Sequence, residues 1–231
     1  MNKANWPPLE SDPDIFNKYF HKIGLSDSVY FKELLSFDYN NFFSIGGPLL
    51  GLILTYSRAQ TKPKFTKEEK TDSINFYMKQ TNVLDNACGL IAGLHLLGNN
   101  NTITFKEGSI LSKFYELAKG KTFEERATLL ENYKEFKEEH HTMAQEGQSE
   151  MSEQETDKHY IAFVLIGNTI YELDGIKNGP VIIKEGVTWE TFMDEMAVEV
   201  MRRVNEGEIH EQINALICAD DKTQLIDFLE D

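Results

Sequence analysis

The sequence carries two thiols, Cys88 and Cys218, and their settings differ. Cys88 closes the polar stretch Gln80-Thr81-Asn82-Val83-Leu84-Asp85-Asn86-Ala87 and opens the apolar run from Gly89 to Gly98. Asn86 fits an N-cap, because its side-chain oxygen can accept from an unpaired amide of a first helical turn. Cys88 then lies in that first turn, where main-chain amides and the helix dipole favour a thiolate. Gly98 with Asn99 is the expected stop. Cys218, between Ile217 and Ala219 in an apolar run, reads as a core residue. The Cys88 stretch alone leaves a second reading open, since free cysteines are among the most buried residues.

A thiol needs a base, and a base needs orienting. The run His159 to Ile166, the dipeptide Gly167-Asn168 and the run Thr169 to Leu173 read as a two-residue hairpin. Residues whose numbers sum to 335 then face each other, Ile166 opposite Thr169. In that register Asp174 is the diagonal neighbour of His159 on one face. Diagonal neighbours lie about 7–8 Å apart at the backbone, within reach of an imidazole and a carboxylate. One hairpin therefore builds a His–Asp pair, and with Cys88 it completes a nucleophile, base and orienter.

At these residues the sequence resembles the ubiquitin C-terminal hydrolases, papain-like cysteine deubiquitinases of which the short single-domain members are the most similar. Asn86-Ala87-Cys88-Gly89, the His159 strand and Tyr171-Glu172-Leu173-Asp174-Gly175 carry the likeness. So do Trp6-Pro7-Pro8-Leu9-Glu10, Leu130-Glu131-Asn132-Tyr133, Glu146-Gly147-Gln148 and Asn214-Ala215-Leu216-Ile217. The resemblance implies an α+β fold with a central antiparallel β-sheet between helical layers, a knotted backbone and an active-site crossover loop. It implies a Cys88–His159–Asp174 triad that cleaves small or flexible adducts from the C-terminal glycine of ubiquitin through a thioester. It also implies a monomer without cofactor or metal.

The resemblance further places a glutamine in the oxyanion hole beside the Cys88 amide. In the family that glutamine lies six residues before the cysteine; here Gln80 lies eight before Cys88, and Asn82 stands at six. Gln80 is preferred because Met78-Lys79-Gln80-Thr81 matches the family wording, with Asn82 as the alternative. A misplaced donor costs about two to three orders of magnitude in rate. Two other functions therefore stay open: a ubiquitin-binding protein with little turnover, and a peptidase for another ubiquitin-like modifier. For the arginines of the ubiquitin tail, alignment with the family's N-terminal segment offers Glu10 and Asp14, with Glu33 as a further acid. Pro8 and Leu9 are expected to pack against the tail.

Composition sets the frame. The chain has 231 residues, 41% of them hydrophobic, with fifteen Phe and nine Tyr, enough for a sizeable core. A formal net charge of −15 argues against a phosphate-backbone partner and suits a basic one. Two cysteines are too few for a disulfide scaffold, so a reduced cytoplasmic compartment is expected, with the nucleus left open. No apolar leader opens the sequence, and the run Pro48 to Tyr56 is too short to span a bilayer, so no membrane is expected.

The remaining elements follow from pattern. Ser11-Asp12-Pro13-Asp14 starts a helix that carries Ile15, Phe16, Tyr19, Phe20 and Ile23 and ends at Gly24. Val29 to Leu34 and Leu49 to Tyr56 read as strands, with an aromatic helix or turn over Phe37 to Ile45. Residues 57–73 read as a loop. Ser109 caps one helix, and Thr122-Phe123-Glu124-Glu125 is a capping box for a long helix to about Glu139. Residues 140–158 read as the crossover loop, with His140-His141 solvated in it. The thiol precedes this loop and its partners follow it, so residues 1–231 are expected to form a single domain. Thr188 to Asn205 is an amphipathic helix, Gln212 to Ala219 a strand, and 220–231 an acidic tail. His95, two turns along the helix from Cys88, is too far to be the base and reads as a core histidine.

Overall fold

The structure is a computed structural model and describes residues 5–37, 47–58, 73–146 and 158–221. Helix α1 spans Pro13–Ile23. Asp12 caps it by accepting from the Asp14 amide, Pro13 takes the first position, and Gly24 ends it at φ +117°, a left-handed conformation that glycine adopts without strain. Strands β1 (Val29–Glu33) and β2 (Leu49–Arg58) follow, then helices α2 (Cys88–Gly98), α3 (Ile110–Ala118), α4 (Phe123–Glu131) and α5 (Lys134–Ala144). The hairpin β3 (Lys158–Ile166) and β4 (Thr169–Leu173) leads to β5 (Val181–Glu185), α6 (Trp189–Asn205) and β6 (Ile209–Asp220).

The six strands form one sheet in the order β1-β6-β2-β3-β4-β5, antiparallel throughout. One face carries Phe31, Ile53, Tyr160, Ala162, Val164 and Leu173 under α1 and α2, where the larger core lies. The other carries Leu52, Leu54, Ile161 and Phe163 under Phe192, Met196 and Val200 of α6. Each such side chain contributes about 1.5–3 kcal/mol on full burial. The expected sheet between helical layers is thus present. Helix α2 is apolar on every side, with all its residues from Cys88 to Leu97 buried. A Cβ on Gly93 would lie 2.1 Å from Phe20 Cζ, so glycine here lets α1 close on α2.

The β3–β4 register is the one the turn residues predict: Ile166 faces Thr169, and Ala162 faces Leu173. Gly167 has φ +60°, and no non-glycine residue described has positive φ, the pattern of a type II′ turn.

Three expectations are corrected. The helix from Thr122 does not run on to Glu139. Asn132 turns its side-chain amide onto the Thr128 carbonyl at 2.7 Å, and Tyr133 adopts extended backbone. That swings its ring against Phe114 and Phe136, and α5 starts afresh at Lys134. Residues 140–144, expected in the crossover loop, are helical, and His140 is fully buried rather than solvated. The helix N-cap before Cys88 is Ala87, not Asn86, and no side chain caps it. The rest of the crossover loop (147–157), the aromatic turn (38–46), most of the polar loop (59–72) and the acidic tail (222–231) lie outside the described residues.

Candidate active site

Cys88 is the first residue of α2 and is 7% exposed. The first main-chain bond of the helix runs from Ile91 N–H to Ala87 O at 2.9 Å, so the amides of Cys88, Gly89 and Leu90 precede the ladder. The turn rests on Leu9, Phe16 and Tyr160, the atoms that a Cβ on Gly89 would meet at 3.5–3.7 Å. Cys218 is the contrasting thiol. It is fully buried in β6, and burial, with the Asp220 charge, pushes it well above the ordinary range.

His159 reaches the site from the start of β3. Its Nε2 lies 2.7 Å from Asp174 Oδ1, both side chains almost wholly buried. Cys88 lies close enough to the ring to raise its pKa. Burial pulls the imidazole pKa down, but the charge and hydrogen bond of Asp174, with Cys88 adding to them, outweigh it and hold the group up to about 9. The imidazole is therefore charged at neutral pH. Tyr56 stands edge-on to it across the β2–β3 ladder, with ring centroids 5.8 Å apart.

Asp174 is held from several sides. Its Oδ1 also accepts from the Ile176 amide at 3.2 Å, and its carbonyl accepts from Tyr77 Oη at 2.5 Å. Tyr77 stacks on His95 at 4.9 Å. His95 donates from Nδ1 to Leu173 O at 3.2 Å and accepts at Nε2 from Met78 N–H at 3.1 Å. His95 is thus the buried, hydrogen-bonded histidine expected, and it ties α2 to the end of β4. On the same strand Glu172 is buried between Lys177, at 2.6 Å, and Arg203 of α6. Burial opposes its ionisation, yet these two cations hold its carboxyl down at about 2. Pattern reading overlooked this ion cluster, for which an arginine on the buried face of an amphipathic helix was the available signal.

Gln80 lies ahead of the turn that leads to Cys88, its amide N–H donating to Gly175 O at 2.8 Å. Its side-chain Nε2 donates to the carbonyls of Leu84 and Asp85, each at 3.0 Å, and its Oε1 is buried without a partner. Asn82 is exposed. Of the residues aligned with substrate contacts, Pro8 and Glu10 are half-buried and Asp14 is exposed on α1. Glu33 is exposed at the end of β1 and accepts from Asn214 Nδ2 at 2.9 Å. Leu9 is 3% exposed, so its side chain belongs to the core over Gly89, while its carbonyl accepts from Tyr160 Oη at 2.8 Å.

Three histidines give opposed pH dependences. Burial lowers His95 and His140 to about 4, although each has a backbone hydrogen bond working the other way. Both fold as neutral rings, so stability is lost as pH falls from about 6.5 toward 4. His159 is raised, so its contribution is complete below about 6.5 and is lost as pH rises through about 9. The urea midpoint is therefore expected to peak near pH 6.5 and fall on both sides. A midpoint flat between pH 6.5 and 4.5 would be incompatible with two neutral buried imidazoles.

Comparison with known proteins gives the family of the chain. The model of ubiquitin carboxyl-terminal hydrolase, family 1, matches residues 6–206. A ubiquitin carboxyl-terminal hydrolase of Drosophila melanogaster is 35% identical over 204 residues, 83% of this chain and 87% of that one. One of Aplysia californica is 33% identical over 209 residues, covering 87% and 95%. The crystal structure of the Trichinella spiralis UCH37 catalytic domain bound to ubiquitin vinyl methyl ester superposes with a TM-score of 0.74 at 23% identity, covering 95% of this chain and 97% of that one. A family match that takes in the Trp6 segment, the Cys88 helix, the His159–Asp174 hairpin and all of α6 settles the kinship: the chain belongs to ubiquitin carboxyl-terminal hydrolase family 1.

Proposed function

We propose that this chain is a thiol-dependent deubiquitinase that cleaves small or flexible adducts from the C-terminal glycine of ubiquitin. The observation that carries the reading is the buried His159–Asp174 pair with Cys88 beside its ring, in a member of this family. The names of its relatives, and the ubiquitin derivative bound to the Trichinella protein, support ubiquitin as the partner.

On this reading Cys88 Sγ attacks the glycine carbonyl carbon. The bond to the leaving amine breaks, and the His159 proton goes to that amine. A thioester remains. Water then attacks it, His159 takes the water's proton, and the ubiquitin carboxylate leaves as the thiol is restored. Asp174 keeps the imidazolium in line throughout. The Cys88 amide and the Gln80 side chain receive the oxyanion. Glu10, Asp14 and Glu33 attract the arginines of the ubiquitin tail, beside Pro8 and the main chain at Leu9. A net charge of −15 favours such a basic segment. The enzyme works as a monomer in the cytosol.

One observation favours a second reading, a ubiquitin binder with little turnover: the Gln80 amide is engaged by two loop carbonyls. The deciding experiment is release of a small fluorophore from the ubiquitin C-terminus by the wild-type chain, run beside the same fluorophore on other ubiquitin-like modifiers. Release with a preference for ubiquitin supports the deubiquitinase. Tight binding of ubiquitin without release supports the second reading, and preference for another modifier redirects the substrate assignment.

A further inference from the structure

Ahead of the active thiol, Asp85 lies in the stretch from Gln80 to Ala87. Its carboxylate is not a free surface charge. Oδ2 accepts from the Asn5 amide at 3.0 Å, and Oδ1 accepts from the Trp6 amide at 2.9 Å and the Asn86 amide at 3.0 Å. One side chain thus ties the N-terminal segment to the loop three residues before Cys88. The segment is gripped from its other side by α5. His140 Nε2 donates to Pro7 O at 2.7 Å, and His141 Nε2 to Asn5 O at 2.9 Å. Trp6 is fully buried, its ring 5.1 Å from that of His140. The partner of Asp85 is therefore itself immobile, and the carboxylate works against a fixed anchor.

What the loop does with that anchor is visible in its carbonyls. Those of Leu84 and Asp85 both accept from Gln80 Nε2, and Leu84 O also accepts from the Ala87 amide at 3.2 Å. Leu84 is fully buried, so the loop folds inward as a packed turn. The backbone at Leu84–Asn86 thus sets two things together: the direction of the Gln80 amide and the approach of Ala87 and Cys88 to α2. We propose that Asp85 is a positioning residue, whose carboxylate, anchored on the amides of Asn5 and Trp6, holds this turn and with it the backbone that delivers Cys88 to the start of α2. The inference rests on the hydrolase reading, in which Cys88 is the nucleophile. Charge-assisted hydrogen bonds from main-chain amides to a carboxylate are the stronger kind, which suits a latch on a loop without a side-chain helix cap.

The test compares Asp85→Ala and Asp85→Asn with wild type. Fluorophore release from the ubiquitin C-terminus gives kcat and KM, thermal melting confirms folding, and iodoacetamide alkylation of Cys88 is timed without ubiquitin. Asp85→Ala is expected to lower kcat by about 10- to 100-fold, the scale of a misplaced reacting group. KM should stay within about threefold. Asp85→Asn, which keeps an acceptor for Trp6 and Asn86 but sets an amino group against the Asn5 amide, should fall between. A kcat within about twofold of wild type in both variants would overturn the inference, whatever their melting temperatures. So would a loss confined to KM, which would assign the contact to substrate binding. If the alanine variant does not fold, the asparagine variant decides alone. Release by wild type with kcat unchanged in the variants defeats only this inference. No release by wild type defeats the hydrolase reading; the alkylation rates, read without ubiquitin, then decide this inference, and wild-type rates in both variants would overturn it.

Discussion

Cys88→Ala is expected to remove hydrolysis of ubiquitin adducts, by about four orders of magnitude or more, while ubiquitin still binds. The size of the loss follows from the chemistry. Without Sγ no thioester forms, and what remains of the site is the oxyanion hole and the binding surface. Binding survives because little else changes. The side chain is small, it sits at the start of a helix packed on every side, and its replacement leaves α2 on Leu9, Phe16 and Tyr160. The measurement pairs fluorophore release with calorimetric titration of ubiquitin. Turnover retained in the variant would refute the nucleophile, and Cys218, fully buried with its thiol raised, offers no substitute.

The second large effect belongs to Asp174→Asn. The aspartate charge and its hydrogen bond keep a fully buried imidazole protonated, against a burial that alone would discharge it. With the charge gone, burial dominates and the His159 pKa falls. The alkaline limb of the pH–rate profile, set by loss of the imidazolium, is expected to move to lower pH. kcat at neutral pH should drop by about 10²- to 10⁴-fold, with KM little altered. Stability should also lose its decline above pH 6.5, because the raised group is no longer raised. An alkaline limb unmoved by the substitution would show that His159 does not carry that limb.

The legible parts were those in which a local rule had one outcome. Gly167-Asn168 between two β-rich runs fixed the hairpin register, and with it the pairing of His159 and Asp174. Thr122 to Glu125 and Ser109 capped their helices as expected, because side-chain caps are nearest-neighbour chemistry. The failures came where two local rules competed or where a partner was distant. Helix α5 was hidden because residues 140–144 hold few aliphatic side chains. Yet Phe136, His140, Met143 and Ala144 share one buried face at helical spacing, and counting histidine as a core residue would have revealed it. Asn132 could continue a helix or take the Thr128 carbonyl, and the aromatic cluster around Tyr133 tipped the balance. Asp85 gave no sign of its role, because its partners Asn5 and Trp6 lie about eighty residues earlier in the chain.

The strand order has a consequence for how this protein comes to exist. The last strand, β6, is not an edge. It lies between β1, the first, and β2, with Val29 opposite Asp220 and Tyr56 opposite Ile213. While the chain is being made, β2 and β1 must wait without their shared neighbour until residues 209–220 have left the ribosome. Closing ladders of such separation is slow, since the chain entropy is lost before the contacts form. The exposed flank of β2 is meanwhile an open edge able to pair with another chain. Synthesis, and not only catalysis, therefore sets a demand on this fold: the hairpin with His159 and Asp174 can form early, but the sheet that steadies it closes only once β6 is in place.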